Sequence, residues 1–347
     1  MRPWSNYGAF RIHSRKLVPQ NGMTSTSRHA SRTCRICRWA AVAALAVLSL
    51  WLFCGRATVI EKASAAQRNG AAPAPMRTPS PSPASKPVPR KSSAAQDPPS
   101  RLSVRSKIAL VVDASTSEEL LVKEADRVVP IASITKLMTA MVVLDAKPPM
   151  EEKLKISNDD RDLVMGTISR LHVGWALSRE DMLHLALMSS ENRAASALSR
   201  YYPGGQPAFI KAMNAKAEEL GMARTHFVNP NGLTTENVST AYDLVKLVRA
   251  ADQYPLIRQF TTDPRYDVRV SRYVLPYFNS NRLVGRPEWD IAVQKTGFTN
   301  EAGHCLVMRV NAQGRSLIMV FLDAYGKLTR FADARRVLMQ LALAEKR

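Results

Sequence analysis

Cysteine is scarce in this 347-residue sequence, and the six histidines are scattered. Three of the four cysteines, Cys34, Cys37 and Cys54, lie near the N-terminus, which leaves Cys305 alone in the rest of the chain. A disulfide-stapled fold is therefore excluded for that part. Cys34-x-x-Cys37 has the spacing of half a metal site, but no second pair and no His-Glu-x-x-His motif follow it. We expect neither a metal nor a cofactor.

Acidic residues are nearly missing from the first 107 positions, and this accounts for most of the formal net charge of +20. Residues 1–38 contain eight basic residues and no acidic residue, and residues 39–107 contain ten basic residues against Glu61 and Asp97. The remaining 240 residues carry only +4. The basic charge belongs to the N-terminal region rather than to a folded surface, so we expect no nucleic-acid partner.

Only one long apolar run is present, at residues 39–54, and three arginines between positions 32 and 38 precede it. A basic flank followed by an apolar core is typical of a bacterial signal peptide or signal anchor. The run has 16 residues, fewer than the ~20 that span a bilayer, which favours a signal peptide. Met23 is an alternative start, and Ala63-Ser64-Ala65 is a candidate cleavage site. We expect a periplasmic protein, with membrane contact through residues 39–54 if this segment is retained.

The composition divides the chain into three parts. Nine of the 21 prolines fall between Pro73 and Pro99, among Ala, Ser and Lys. Such a composition cannot bury a core and favours extended conformations. We therefore predict a basic region with a signal segment over residues 1–55, a linker over residues 56–106, and one folded domain over residues 107–347.

The predicted domain begins and ends with strand patterns and has helical patterns between them. The β-branched run at 108–112 and the short run at 119–122 predict an opening hairpin. From Ala132 to Leu144 apolar residues recur at three- and four-residue steps, which predicts a buried helix. Further helices are predicted after Ser178, from Arg193, over 207–220, after Thr240 and from Thr329, and further strands at 291–295, 305–310 and 317–322. The order predicts an α/β (α+β) domain: an antiparallel sheet flanked by helices, with an inserted all-helical lobe.

Three short motifs carry the candidate chemistry: Ser133-Ile-Thr-Lys136, Ser190-Glu-Asn192 and Lys295-Thr-Gly297. Residues three apart share one face of a helix, so the Lys136 amine can reach the Ser133 hydroxyl. A serine hydroxyl needs a base to become a nucleophile, and lysine is a base only when neutral. We expect the positive end of the helix and a second cation, Lys295, to lower the pKa of Lys136.

From about residue 107 onward the chain resembles the serine D-alanyl-D-alanine peptidases, the low-molecular-weight penicillin-binding proteins. The three motifs occur in the family's order, and similar family strings match 130–139 (PIASITKLMT), 226–233 (HFVNPNGL) and 239–243 (STAYD). The resemblance implies a β-lactamase/DD-peptidase-like fold and an acyl-enzyme reaction on peptidoglycan stem peptides. It also implies that β-lactam antibiotics inhibit the protein covalently.

The resemblance also assigns a role to each motif residue. Ser133 would be the nucleophile, Lys136 its proton acceptor, Ser190 a relay to the leaving amine, and Asn192 a group that holds substrate and lysine. The segment Lys295, Thr296, Gly297 and Phe298 would bind the substrate, with Lys295 and Thr296 at its carboxylate end. The backbone N–H groups of Ser133 and Phe298 would hold the oxyanion.

Several activities stay open within this resemblance. The carboxypeptidase branch commonly has glycine in the middle motif, where this chain has Glu191. Glu191 either alters the preference among acidic or amine-bearing stem ends or faces solvent. Only 50 residues follow Gly297, too few for the second β-rich domain and amphipathic tail of typical carboxypeptidases. We therefore expect an endopeptidase that cleaves D-Ala–diaminopimelate cross-links, with a carboxypeptidase as the alternative.

Two further alternatives are less favoured. A class A β-lactamase would have a Glu-x-x-Leu-Asn-type deacylation motif between the second and third motifs, and this chain has none there. A non-catalytic cell-wall-binding module would have no use for a serine–lysine pair.

Overall fold

The structure is a computed structural model, and it describes residues 102–163 and 165–344. The predicted signal segment, Met23, the Cys34–Cys37 pair and the proline-rich part of the linker lie outside the described residues. Within the described part of the chain, every helix is too short or too polar to cross a bilayer.

The described residues form eleven strands, seven α-helices and two short 3-10 helices, joined by loops. In chain order they are β1 (Ile108–Asp113), β2 (Glu119–Lys123), β3 (Val129–Pro130), a 3-10 helix (Ala132–Ile134), α1 (Thr135–Asp145), β4 (Lys153–Lys155), a second 3-10 helix (Asn158–Asp160), β5 (Ala176–Ser178), α2 (Arg179–Met188), α3 (Asn192–Arg200), α4 (Gly205–Glu219), β6 (Val238–Ser239), α5 (Ala241–Ala251), α6 (Pro255–Thr262), β7 (Arg265–Val270), β8 (Tyr273–Phe278), β9 (Asp290–Thr299), β10 (Gly303–Ala312), β11 (Arg315–Ala324) and α7 (Thr329–Ala344).

A five-stranded antiparallel sheet in the order β2-β1-β11-β10-β9 joins the start of the domain to its end. Strand β1 pairs with β11 from Ile108 opposite Leu322 to Asp113 opposite Leu317. Strand β9 lies at one edge, where Lys295 is opposite Val307 on β10. The predicted antiparallel sheet and its terminal hairpins are confirmed.

Both faces of the sheet are covered, because side chains along a strand alternate between the two faces. Ile108, Leu110 and Val112 of β1 pack into a large core with the helical block. Ala109 and Val111 face the opposite way, into a smaller core that includes residues of α7. A strand buried on both faces requires a continuous apolar sequence, and this explains why 108–112 shows no polar alternation.

The helical block is organised around α1, whose residues 135–143 are all buried. Its neighbours begin at side-chain caps that the sequence encodes. Ser178 and Asp181 form a capping box at the start of α2, and the Thr240 hydroxyl accepts the Asp243 N–H at the start of α5. The sequence predicted these helices, with α4 beginning two residues earlier than expected, at Gly205.

The sequence did not reveal the β7–β8 hairpin. These strands pair from Arg265 opposite Phe278 to Val270 opposite Tyr273. Their two-residue turn has Ser271 at a φ of 54°, a position where hairpins usually carry glycine or asparagine. The composition therefore gave no turn signal. Helix α6 and the two-stranded pairs β3–β6 and β4–β5 were missed as well, because each is short.

Residues 102–106, at the end of the predicted linker, pack along α7. Leu102 and Val104 contact the smaller apolar core. The fully buried carboxylate of Asp333 accepts the backbone N–H groups of Arg105 and Ser106 at 2.9 and 2.7 Å. Polar groups that are buried need such partners, so Asp333 fixes this segment to the last helix.

Two glycines lie against the 3-10 helix that contains Ser133. A Cβ at Gly232 would lie 2.1 Å from the carbonyl oxygen of Ala132, and a Cβ at Gly297 would lie 3.2 Å from the Ser133 nitrogen. Only glycine allows backbone to approach this closely. The loop around residue 232 and the edge strand β9 therefore set the position of the 3-10 helix.

We expect Gly232→Ala to destabilise the domain more than Gly314→Ala. Both glycines have a positive φ, of 81° and 69°, so both variants carry a strain of about 1–2 kcal/mol. Gly314 has nothing within 4 Å of an added Cβ, whereas at Gly232 the methyl group meets backbone. The free energy of unfolding, measured by chemical denaturation, should fall by about 1–3 kcal/mol more for Gly232→Ala. Equal losses in the two variants would show that the close contact has no energetic importance.

Candidate active site

The first motif places a hydroxyl and an amine in direct contact. Ser133 lies in the 3-10 helix that leads into α1, and Lys136 lies in the first turn of α1. The Lys136 Nζ is 2.9 Å from the Ser133 Oγ. Ser133 is 8% exposed and Lys136 is 1% exposed. The pair that the sequence predicted is therefore formed, and it is nearly sealed from solvent.

Lys136 Nζ has three oxygen partners. Besides Ser133 it contacts Asn192 Oδ1 at 2.7 Å and the backbone carbonyl of Asn231 at 2.6 Å. An ammonium group has three N–H donors, but a neutral amine has two and a lone pair. When Lys136 is neutral, its two N–H groups can remain on Asn192 and Asn231, and the lone pair is then left for the Ser133 hydroxyl. The geometry thus suits a neutral amine that accepts a proton from serine.

Burial favours that neutral amine. Loss of hydration lowers the pKa of Lys136 from 10.5 to about 7, while the negative charge of Glu191 acts in the opposite direction. From the sequence, Lys295 was expected to be a cause of this shift. Instead, it is the pKa of Lys295 that the charge of Lys136 helps to lower, after burial itself.

The middle motif contributes Asn192 directly. Asn192 is the first residue of α3, and its Nδ2 donates to Thr167 Oγ1 at 3.0 Å while its Oδ1 faces Lys136. Ser190 lies in the preceding turn with a φ of 65°, and among the described residues its hydroxyl makes no hydrogen bond to Ser133 or Lys136. Glu191 is buried and does not face solvent, and its carboxylate accepts the Arg193 N–H at the start of α3.

The third motif lies on the edge strand β9. Gly297 approaches the backbone of residues 131–133, which brings the strand beside Ser133. Thr296 Oγ1 donates to Ser280 Oγ at 2.7 Å, and Lys295 Nζ donates to the Thr296 carbonyl at 2.9 Å. Phe298 is 52% exposed, and its ring stacks on His304 at 4.2 Å.

Two buried basic side chains lie at this edge. Lys295 is fully buried and Arg330 is 6% exposed, and neither forms an ion pair with any residue that the structure describes. Burial lowers the pKa of Lys295 well below 10.5, and the charges of Lys136 and Arg330 lower it further, while burial lowers the pKa of Arg330 to about 10. Uncompensated buried charge is costly, so an anion bound here would stabilise the charged forms of both side chains.

Four of the groups described above were not recognised in the sequence as parts of the site: Asn231, Thr167, Ser280 and Arg330. Asn231 acts through its backbone carbonyl, and the string 226–233 resembled the family without indicating a role for this residue. Thr167, Ser280 and Arg330 carry no local motif. In residues 102–163 and 165–344 no group of three or more His, Cys, Asp or Glu side chains is arranged to hold a metal ion.

Comparison with known proteins agrees with this arrangement. Residues 91–326 match the model of the D-alanyl-D-alanine carboxypeptidase family. The chain is 54% identical over 231 residues to a D-alanyl-D-alanine endopeptidase of Pseudomonas aeruginosa and 53% identical over 231 residues to one of Escherichia coli K12, covering 66% of this chain and 74% of each relative. It also resembles the crystal structure of penicillin-binding protein D2 from Listeria monocytogenes with bound cefotaxime, with a TM-score of 0.62 and 30% identity over 69% of this chain and 98% of the other.

The family match covers more than half of the chain, and its residues include all three motifs. The sheet, the helical block and the serine–lysine contact are those expected from the resemblance. The chain therefore belongs to the D-alanyl-D-alanine carboxypeptidase family, and it is a serine-type D-alanyl-D-alanine peptidase with the fold of the penicillin-binding proteins.

Proposed function

We propose that the protein cleaves peptidoglycan stem peptides through an acyl-enzyme on Ser133, with Lys136 as the base. One observation carries this proposal: the buried Lys136 amine lies 2.9 Å from the Ser133 hydroxyl and has a pKa of about 7. An amine with a pKa near neutrality is partly unprotonated at working pH and still basic enough to accept a proton.

The reaction has two steps, acylation of Ser133 and hydrolysis of the acyl-enzyme. Lys136 takes the Ser133 proton while Oγ bonds to the carbonyl carbon of D-alanine, and the oxyanion is held by the N–H groups of Ser133 and Phe298. The proton then passes from Lys136 through the Ser190 hydroxyl to the leaving nitrogen, and the C–N bond breaks. Water adds to the acyl carbon and gives its proton to Lys136, which returns a proton to Oγ as the Ser133–acyl bond breaks, so that the serine hydroxyl and the neutral amine are restored.

The substrate's carboxylate next to the leaving nitrogen fits the cation-rich edge of β9. Lys295 and Arg330 are buried basic groups whose charged forms a bound carboxylate would stabilise, and Thr296 supplies a hydroxyl. Asn192 fixes the acyl side while it holds Lys136. Penicillin-binding protein D2 of Listeria monocytogenes has been solved in its cefotaxime-bound form. We propose that β-lactams acylate Ser133 here as well.

We propose further that the cleaved bond is the D-Ala–diaminopimelate cross-link. The relatives that are 54% and 53% identical are both named D-alanyl-D-alanine endopeptidases. The family description itself names carboxypeptidases, so removal of a terminal D-alanine is the second candidate activity. Both reactions place a carboxylate next to the leaving nitrogen, and they differ in the rest of the leaving group.

We also propose export to the periplasm, where peptidoglycan is found. Support comes from the basic flank and the apolar run at 39–54, which lie outside the described residues, and from the linker over 56–106. Membrane contact would be through residues 39–54 if that segment is not removed. N-terminal sequencing of the protein from a periplasmic extract should give a start beyond the apolar run if it is cleaved. Recovery of the chain only from the cytoplasm would refute export.

We expect the pH dependence of acylation to follow Lys136. A group that must be neutral gives a rate that rises with pH through its pKa, so labelling by a fluorescent penicillin should reach half its maximum near pH 7, the pKa of Lys136 being about 7. Glu191→Gln removes a charge that raises the pKa of Lys136. The half-maximum should therefore move to lower pH in this variant.

The same assay contains its controls. Ser133→Ala should remain unlabelled at every pH, whereas Ser199→Ala should behave as wild type, because among the described residues the Ser199 hydroxyl bonds only the Ser196 carbonyl of its own helix. Labelling of Ser133→Ala would show that another residue is the nucleophile. A flat profile between about pH 5 and pH 9, or a shift to higher pH in Glu191→Gln, would remove Lys136 from the role of base.

Digestion of purified muropeptides distinguishes the two peptidase activities. We expect the protein to convert cross-linked dimers to monomers without releasing D-alanine from uncross-linked pentapeptides, as followed by chromatography and mass spectrometry. Ser133→Ala should do neither. Release of terminal D-alanine with intact dimers would establish the carboxypeptidase instead, and rapid sustained hydrolysis of a chromogenic cephalosporin would indicate a β-lactamase.

A further inference from the structure

A polar cavity of about 370 Å³ lies beside the middle motif. Its lining includes Arg170 from the loop before β5, Glu191 from the turn before α3, and Tyr277 from β8. Ile168 and Phe278, which are 97% and 60% exposed, also line it. Because Glu191 directly precedes Asn192, the cavity adjoins the residues proposed to hold the acyl side of the substrate.

Tyr277 brings an unused hydroxyl to this cavity. The side chain is 3% exposed, and its hydroxyl has no hydrogen-bond partner in the part of the chain that the structure describes. Buried polar groups without partners are rare, because each costs free energy. Burial raises the pKa of Tyr277 and the charge of Glu191 raises it further, whereas the charge of Arg170 lowers it, so Glu191 and Arg170 are both near neighbours of this hydroxyl. The hydroxyl therefore stays protonated and available as a donor.

Arg170 and Glu191 bring opposite charges to the same cavity without neutralising each other. The Arg170 guanidinium lies over the Tyr277 ring, 3.8 Å from its centroid, and donates to the Pro276 carbonyl. The Glu191 carboxylate accepts the Arg193 N–H. Among residues 102–163 and 165–344 neither side chain forms an ion pair. Each can therefore still bind a charged group of a ligand.

We propose that this cavity binds a zwitterionic α-amino-acid group, the free end of the diaminopimelate side chain on the acyl side of the cross-link. Arg170 and the Tyr277 hydroxyl donate to its carboxylate, and Glu191 accepts from its ammonium group. A ligand with a single charge would pair with either Arg170 or Glu191 and leave the other charged side chain without a partner. This inference rests on the proposed function, since it concerns which stem peptide reaches Ser133.

N-acetylation of the substrate tests the ammonium half. The cross-linked dimer has one free primary amine, at the uncross-linked end of its acyl-side diaminopimelate, and acetylation removes its charge without touching the scissile bond. Charged hydrogen bonds contribute enough to predict that wild-type kcat/KM falls roughly 10- to 100-fold for the acetylated dimer. Equal cleavage of the native and acetylated dimers would overturn the proposal.

Two conservative variants test the carboxylate half. Arg170→Gln and Tyr277→Phe should each lower kcat/KM for the native dimer roughly tenfold or more, and should leave labelling by fluorescent penicillin within about twofold, since penicillin lacks this group. The matched control is Arg272→Gln, because Arg272 also lies over a tyrosine ring of the β7–β8 hairpin, 5.2 Å from the Tyr273 centroid, but does not line the cavity. Wild-type cleavage by Arg170→Gln and Tyr277→Phe would refute the proposal.

Failure of the cavity proposal and failure of the proposed function give different results. If the cavity has another role, the wild-type protein still cleaves dimers and is still labelled by penicillin, but the variants and the acetylated substrate behave normally. If the proposed function is wrong, the wild-type protein cleaves neither dimer, whatever residue stands at 170 or 277.

Discussion

Removal of one lysine amine from water is the constraint on which the rest of the structure depends. Lys136 is among the largest fully buried side chains, and burying a charge without compensation is costly. The fold compensates with hydrogen bonds to three oxygen atoms, and no carboxylate of residues 102–163 or 165–344 contacts the amine directly. A carboxylate partner would have kept the amine charged. Neutral acceptors let it lose its proton near neutral pH, which is the state a base requires.

The position of this lysine depends on backbone more than on side chains. Ala132, at a φ of 47°, begins the 3-10 helix that turns the chain into α1. Gly232 and Gly297 both lie in close contact with the backbone of that turn. The nucleophile is thus held by two segments that are about 100 and 165 residues away in sequence. Packed glycine backbone cannot relax as a long side chain can, so the geometry is rigid.

The sequence predicted the parts that depend on local patterns. The apolar run at 108–112, the caps at Ser178 and Thr240 and the three motifs each have a local signature, and each lies on the predicted element or turn. Contacts that depend on tertiary packing could not be predicted from the sequence. The carbonyl of Asn231 is chemically like any other carbonyl until the fold brings it 2.6 Å from Lys136. The main cause of the lysine pKa shift was missed for the same reason, since burial is a property of the whole core.

The strand order has a consequence for how the domain is made. The first strand, β1, lies between β2 and β11, and residues 105 and 106 are bonded to Asp333 in the last helix. The sheet therefore cannot close until β11 and α7 have been synthesised. Until then the apolar residues of β1 lack β11 as a neighbour, and we expect them to be accessible to chaperones during synthesis.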